Sequence, residues 1–138
     1  PSYLRLGKKG EKELTGFNEV FIDAHCGFRR YKSIKNSKRR IIVSTGTVLQ
    51  YYLNHNDDDI ISVFKWGQNI NFLRNVILEY QEVLVIENHY KSGGFYSWIK
   101  ENIENTGSIS IKSISIDKSS HDSVLKEDDY FRTILNID

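Results

Sequence analysis

The stretch that decides the fold of this chain is residues 83–103, VLVIENHYKSGGFYSWIKENI. It begins with the apolar run Val83–Ile86, a pattern typical of a short strand that is covered on both faces of a sheet. Polar residues and the pair Gly93 and Gly94 follow, and apolar residues then recur at helical spacing over residues 95–103. The pattern predicts one βα unit, made of a buried strand, a polar turn and an amphipathic helix.

The polar residues Glu87, Asn88 and His89 follow the predicted strand, where α/β proteins place functional side chains. His89 beside Glu87 suits a general base that a carboxylate orients. The alternative is structural, because a polar turn can bind the amides of its own loop and meet a neighbouring domain. Gly93 and Gly94 before a helix can likewise bind a phosphate through backbone amides or allow close packing. We interpret Glu87, His89, Gly93 and Gly94 as a structural turn without a catalytic residue.

Strand and helix patterns alternate on both sides of this unit, which predicts a parallel sheet with helical crossovers. The further strand patterns lie at Ile41–Val43, Ile60–Phe64 and Ile109–Ile116, and the helical patterns at residues 46–53, 70–80 and 122–135. The apolar alternation of the last strand slips around Lys112 and Ser113, so we expect a bulge there. Residues 28–34, with turn residues after them, predict an edge strand antiparallel to the first parallel strand.

The first 38 residues differ in character from the rest of the chain. They contain several glycines, mixed charges and only short apolar patches. We therefore expect residues 1–38 to be a connecting arm that ends in the edge strand, and residues 39–138 to be the α/β domain. The chain contains no methionine, so we expect it to be a piece of a larger protein.

Composition excludes several classes of protein. The chain has 138 residues, of which 39% are hydrophobic, enough for the core of one domain. No segment approaches the ~20 apolar residues that cross a bilayer, so no membrane association is expected. Cys26 is the single cysteine, which rules out an internal disulfide and suits the cytoplasm. His25 and Cys26 lack a second pair at zinc spacing, and Asp57–Asp59 is interpreted as an exposed loop, so no metal site is expected.

The charge is distributed unevenly along the chain. Residues 1–40 carry 11 Lys or Arg against 4 Asp or Glu, while the whole chain has a net charge of +1. A basic segment can follow a phosphate backbone, but no RNA- or DNA-binding motif accompanies it. We therefore expect no nucleic-acid partner.

Three stretches of the sequence resemble the transketolase family. The run Glu-Asn-His-Tyr-x-x-Gly-Gly at residues 87–94 is similar to a turn of that family's C-terminal domain, where an acid, His and Tyr precede a glycine pair. The opening PSYLRLGKKGE resembles the segment by which the pyrimidine-binding domain of transketolases and deoxyxylulose-phosphate synthases enters its linker. Residues 41–50, IIVSTGTVLQ, look like the first strand and Thr-Gly turn of the C-terminal domain.

The resemblance implies a three-layer αβα fold with a five-stranded, mostly parallel sheet and one antiparallel edge strand. It also implies a supporting, dimer-stabilising role in a thiamine-diphosphate- and Mg²⁺-dependent transferase of carbohydrate metabolism, which moves two-carbon units between sugar phosphates. The implied partners are a pyrophosphate-binding and a pyrimidine-binding domain, on the same chain or a separate subunit, and a second copy in a homodimer. Lys8 lies where many members have an arginine for the substrate phosphate, so it is the expected substrate-binding residue.

The departures from the family limit what this chain can do alone. The Gly-Asp-Gly magnesium motif with its later asparagine is absent, as is the domain that bears the activating glutamate. We therefore expect the chain alone to bind no cofactor and to be inactive. The residues after the second parallel strand, 64–68, also lack the proline of many relatives. The alternative from another class is a free-standing α/β module that binds a small anionic ligand at residues 87–94.

Overall fold

The computed structural model describes residues 17–23, 27–33, 37–45, 48–49, 58–65, 70–103 and 109–116. These residues form six strands and two helices. The strands are β1 Phe17–Asp23, β2 Phe28–Ser33, β3 Ser37–Thr45, β4 Asp58–Val63, β5 Glu82–Tyr90 and β6 Ser110–Ile116. The helices are α1 Ile70–Ile77 and α2 Phe95–Ile103.

All the strands belong to one sheet in the order β1-β2-β4-β3-β5-β6. Strands β4, β3, β5 and β6 are parallel to one another, whereas β2 pairs antiparallel with β4, and β1 pairs antiparallel with β2 at the edge of the sheet. The predicted α/β class is confirmed, with its mostly parallel sheet and antiparallel edge. The five predicted strands are present, and β1 is a sixth that the sequence analysis assigned to the connecting arm. One sheet therefore includes strands from both sides of the expected boundary at residue 38.

The pairing predicted for β2 is wrong. We expected β2 beside β3, but β2 pairs antiparallel with β4. Strand β3 is central, because β4 and β5 occupy its two edges in parallel pairing. The remaining edge of β4 is the one that β2 joins, so β2 and β3 are not neighbours in the sheet and do not form a hairpin.

The sheet is covered on both faces, which makes the fold three-layered. Alternation along β3 directs Ile41 and Val43 to one face and Ile42 to the other. The first face packs against α1 and α2, and the second against Val48 and Leu49. Because each buried side chain of this size contributes roughly 1.5–3 kcal/mol, the central strands hold the two layers together.

Helix α1 is shorter than its apolar pattern. Its buried residues Leu73, Val76 and Ile77 lie on the predicted face, but the helix ends at Ile77 rather than near Tyr80. The Tyr80 amide donates to the Ile77 carbonyl at 3.0 Å, so the chain continues as a turn. This turn places the Tyr80 ring in the core, where it is 3% exposed.

The expected bulge at Lys112 and Ser113 is also wrong. Strand β6 pairs with β5 without interruption from Ser110 to Ile114. Ile111 packs on the helix-covered face, and Ile114 and Ile116 pack on the opposite face. Ile109 and Ile111 have odd numbers and Ile114 and Ile116 even numbers because the two pairs pack into different cores, one on each face of the sheet. The register shift lies instead between Ile86 and Tyr90 on β5.

Some predicted features fall outside the described residues. They are the start of the arm with Lys8, residue Cys26, most of the crossover at residues 46–53 and the final helix at residues 122–135.

Candidate functional site

The candidate site lies at the carboxyl ends of the adjacent parallel strands β3 and β5. After β3 the chain reaches Val48 on one face of the sheet, and after β5 it forms α2 on the other. Two neighbouring strands whose connections leave to opposite faces form a topological switch point, where open α/β sheets bind ligands. Strand β5 extends to Tyr90, so residues 87–89 continue the strand rather than forming the predicted turn. The turn itself comprises residues 91–94.

Glu87 binds the first turn of α2. Its side chain is 0% exposed. Oε2 accepts the Phe95 N–H at 2.7 Å, and Oε1 accepts the Tyr96 N–H at 3.1 Å. The first amides of a helix have no partner within the helix and carry partial positive charge, so a carboxylate there satisfies two donors and complements the helix dipole. Glu87 thus caps a helix that begins eight residues after it.

The environment of this carboxyl group shifts its titration. Burial raises the pKa of Glu87, and the hydrogen bonds from the Tyr96 and Phe95 amides offset part of that rise. Desolvation is the largest of these contributions. The two amide hydrogen bonds therefore hold the carboxyl group in place, although burial disfavours its charged form.

The two glycines of the turn serve different purposes. A Cβ at Gly94 would lie 2.5 Å from Glu87 Oε2 and 2.6 Å from the Tyr90 carbonyl oxygen. At Gly93 a Cβ would meet nothing within 4 Å, but the backbone has a φ of 76°. Gly94 is thus required for close approach, and Gly93 for a left-handed conformation.

Ser97 fixes the rest of the turn. The Gly93 N–H donates to Ser97 Oγ at 3.0 Å, and this hydroxyl donates to the Lys91 carbonyl at 2.7 Å. The turn and the helix start are therefore cross-linked by hydrogen bonds from one side chain.

The hydrogen bonds of Glu87 argue against both a general base and a phosphate site at residues 87–94. Both Glu87 oxygens bind α2, and His89 is exposed, so no described bond makes Glu87 the orienting partner of His89. The Phe95 and Tyr96 amides that could hold a phosphate already have a carboxylate partner. The arrangement fits the structural interpretation of Glu87, Gly93 and Gly94.

Two polar residues at the switch point were not predicted from the sequence. Ser44 and Thr45 end β3 and are buried, and within the described part of the chain neither Ser44 Oγ nor Thr45 Oγ1 has a hydrogen-bond partner. The sequence feature that could have revealed them is their position directly after the apolar run Ile41–Val43, since polar residues there lie at the carboxyl end of a buried strand. Alternation places Ser44 with Ile42 on one face and Thr45 with Val43 on the other, so the two hydroxyls do not converge.

A second polar cluster, at the opposite ends of the strands, corrects the interpretation of Asp57–Asp59 as a loop. Asp58 and Asp59 begin β4 and are buried. Asp59 Oδ1 accepts the Ser33 N–H at 2.8 Å, and Oδ2 accepts the Tyr80 hydroxyl at 2.5 Å. Asp58 Oδ2 accepts from Arg40 Nε at 2.9 Å. These aspartates join the strands, because each has a partner on another part of the sheet.

Arg30 completes this cluster from β2. It donates to the Tyr80 hydroxyl at 2.9 Å and to Glu79 Oε2 at 2.7 Å. The described residues contain no group of three or more His, Cys, Asp or Glu that could hold a metal ion. We interpret the Arg30, Asp59 and Tyr80 cluster as a structural connection between β2, β4 and the turn after α1.

This cluster predicts a pH dependence of stability. Burial, followed by the hydrogen bond to Asp59, raises the pKa of Tyr80 to about 12. Folding therefore strengthens proton binding relative to an unfolded tyrosine of pKa about 10, so this stability is complete below pH 10 and is lost as the pH approaches 12. Between pH 9 and 11.5, the wild type should lose about 1–2 kcal/mol more unfolding free energy than Tyr80→Phe.

Urea unfolding at both pH values measures the difference. The Tyr80→Phe variant is the control, since it retains the ring and the other titrating groups. Parallel pH profiles for the two proteins would contradict the role given to the Tyr80 hydroxyl.

No protein-family model matches the sequence, and no curated protein is significantly similar to it. Neither α1 nor α2, the helices within the described ranges, has the length and apolar character needed to cross a membrane.

Proposed function

We propose that this chain is the C-terminal supporting domain of a transketolase-like, thiamine-diphosphate-dependent enzyme. The intact enzyme would transfer two-carbon units between sugar phosphates in the cytoplasm. The domain would act as a non-catalytic part of a homodimer, beside pyrophosphate-binding and pyrimidine-binding domains. Thiamine diphosphate and Mg²⁺ would bind to those other domains, because this sequence lacks the Gly-Asp-Gly motif.

The observation that carries the proposal is the way in which Glu87 is used. The segment that most resembles the family, residues 87–94, employs its acid to bind the Phe95 and Tyr96 amides and its second glycine to let that acid approach. A side chain whose two oxygens are engaged in capping a helix supports the fold instead of acting on a substrate. The mostly parallel sheet with an antiparallel edge also agrees with what the resemblance implies.

The same observation weighs against the anion-binding alternative. A phosphate at the start of α2 would need the amides that Glu87 binds, and it would meet a carboxylate in the same place. An anionic ligand at residues 87–94 is therefore the weaker proposal.

The reading frame around this chain provides the first test. We expect the Gly-Asp-Gly motif and its later asparagine in the same frame or in a neighbouring gene. The corresponding protein should transfer two-carbon units from a ketose phosphate to an aldose phosphate only when thiamine diphosphate and Mg²⁺ are added. Absence of both the motif and this activity would contradict the proposal.

Lys8 provides a test at the level of one residue. In the intact enzyme, Lys8→Ala should raise the KM for phosphorylated substrates and leave non-phosphorylated analogues unchanged. Loss of one charge-assisted contact of about 1.5–3 kcal/mol corresponds to about 10- to 150-fold. Steady-state kinetics with both substrate types measure it, and Lys9→Ala is the matched control. An equal effect on both substrate types, or none on either, would remove Lys8 from the substrate site.

A further inference from the structure

We draw no further inference here: the strongest candidate, the side-chain cluster of Ser44 and Thr45 at the carboxyl end of β3, belongs to the site already described, and its two buried hydroxyl groups lie on opposite faces of the sheet rather than converging on one ligand.

Discussion

Replacing Gly94 with valine is expected to lower the free energy of unfolding by about 3–5 kcal/mol, enough to unfold a marginally stable domain. The added Cβ would lie 2.5 Å from Glu87 Oε2 and 2.6 Å from the Tyr90 carbonyl oxygen. The carboxylate is held by two amides of α2 and cannot move away without breaking those hydrogen bonds. The carbonyl belongs to the backbone of β5, so it cannot turn aside as the end of a flexible side chain could. Urea unfolding followed by circular dichroism measures the loss.

The neighbouring glycine supplies the matched control. Gly93→Ala meets open space and is penalised only by its φ of 76°, which should cost about 1–2 kcal/mol. His89 is exposed, and His89→Ala should change the unfolding free energy by less than about 0.5 kcal/mol. A Gly94→Val variant no less stable than Gly93→Ala would show that the close approach to Glu87 is not a requirement of the fold.

Removal of the Glu87 carboxylate should have the second largest effect. In Glu87→Ala, two buried N–H donors lose their acceptor and a cavity remains, so we expect a loss of about 3–4 kcal/mol. Removing the carboxylate also removes the free-energy cost of burying it. The expected loss of stability is therefore smaller than the sum for two buried hydrogen bonds and a cavity.

Glu87→Gln separates hydrogen bonding from packing volume. The glutamine keeps the size of the side chain and one oxygen acceptor, but its amino group faces the second N–H, so we expect a loss of about 1–2 kcal/mol. Chemical unfolding of both variants at one pH gives the comparison. Equal stability of Glu87→Ala and the wild type would mean that Glu87 does not hold the start of α2.

The sequence predicted the central part of the fold because periodicity reports directly on burial. The run Val83–Ile86 can bury all its apolar side chains only as a strand between two layers. The spacing of Phe95, Ile99 and Ile103 brings these side chains to one face only in a helix. Features that depend on distant partners were not predictable. The neighbour of β2 was decided by which strand edge remained free, and the parity change in β6 reflects a second core whose existence is a tertiary property.

The same distinction holds for the polar residues. The sequence placed Glu87 and the glycine pair in one turn, but it could not show that the carboxylate reaches forward to Phe95 and Tyr96. Asp59 was misread because its partners, Ser33 and Tyr80, are 26 and 21 residues away in the chain. A charged residue beside turn-forming residues resembles a loop until the groups that bind it are known.

The central claim is that Glu87, rather than an external ligand, binds the N-terminus of α2. Two-dimensional ¹H–¹⁵N NMR of the chain during titration with inorganic phosphate tests this claim most directly. We predict that the amide signals of Phe95 and Tyr96 do not move and that both amides exchange slowly with solvent. Saturable phosphate-dependent shifts at these two amides would contradict the account and restore the turn as an anion site.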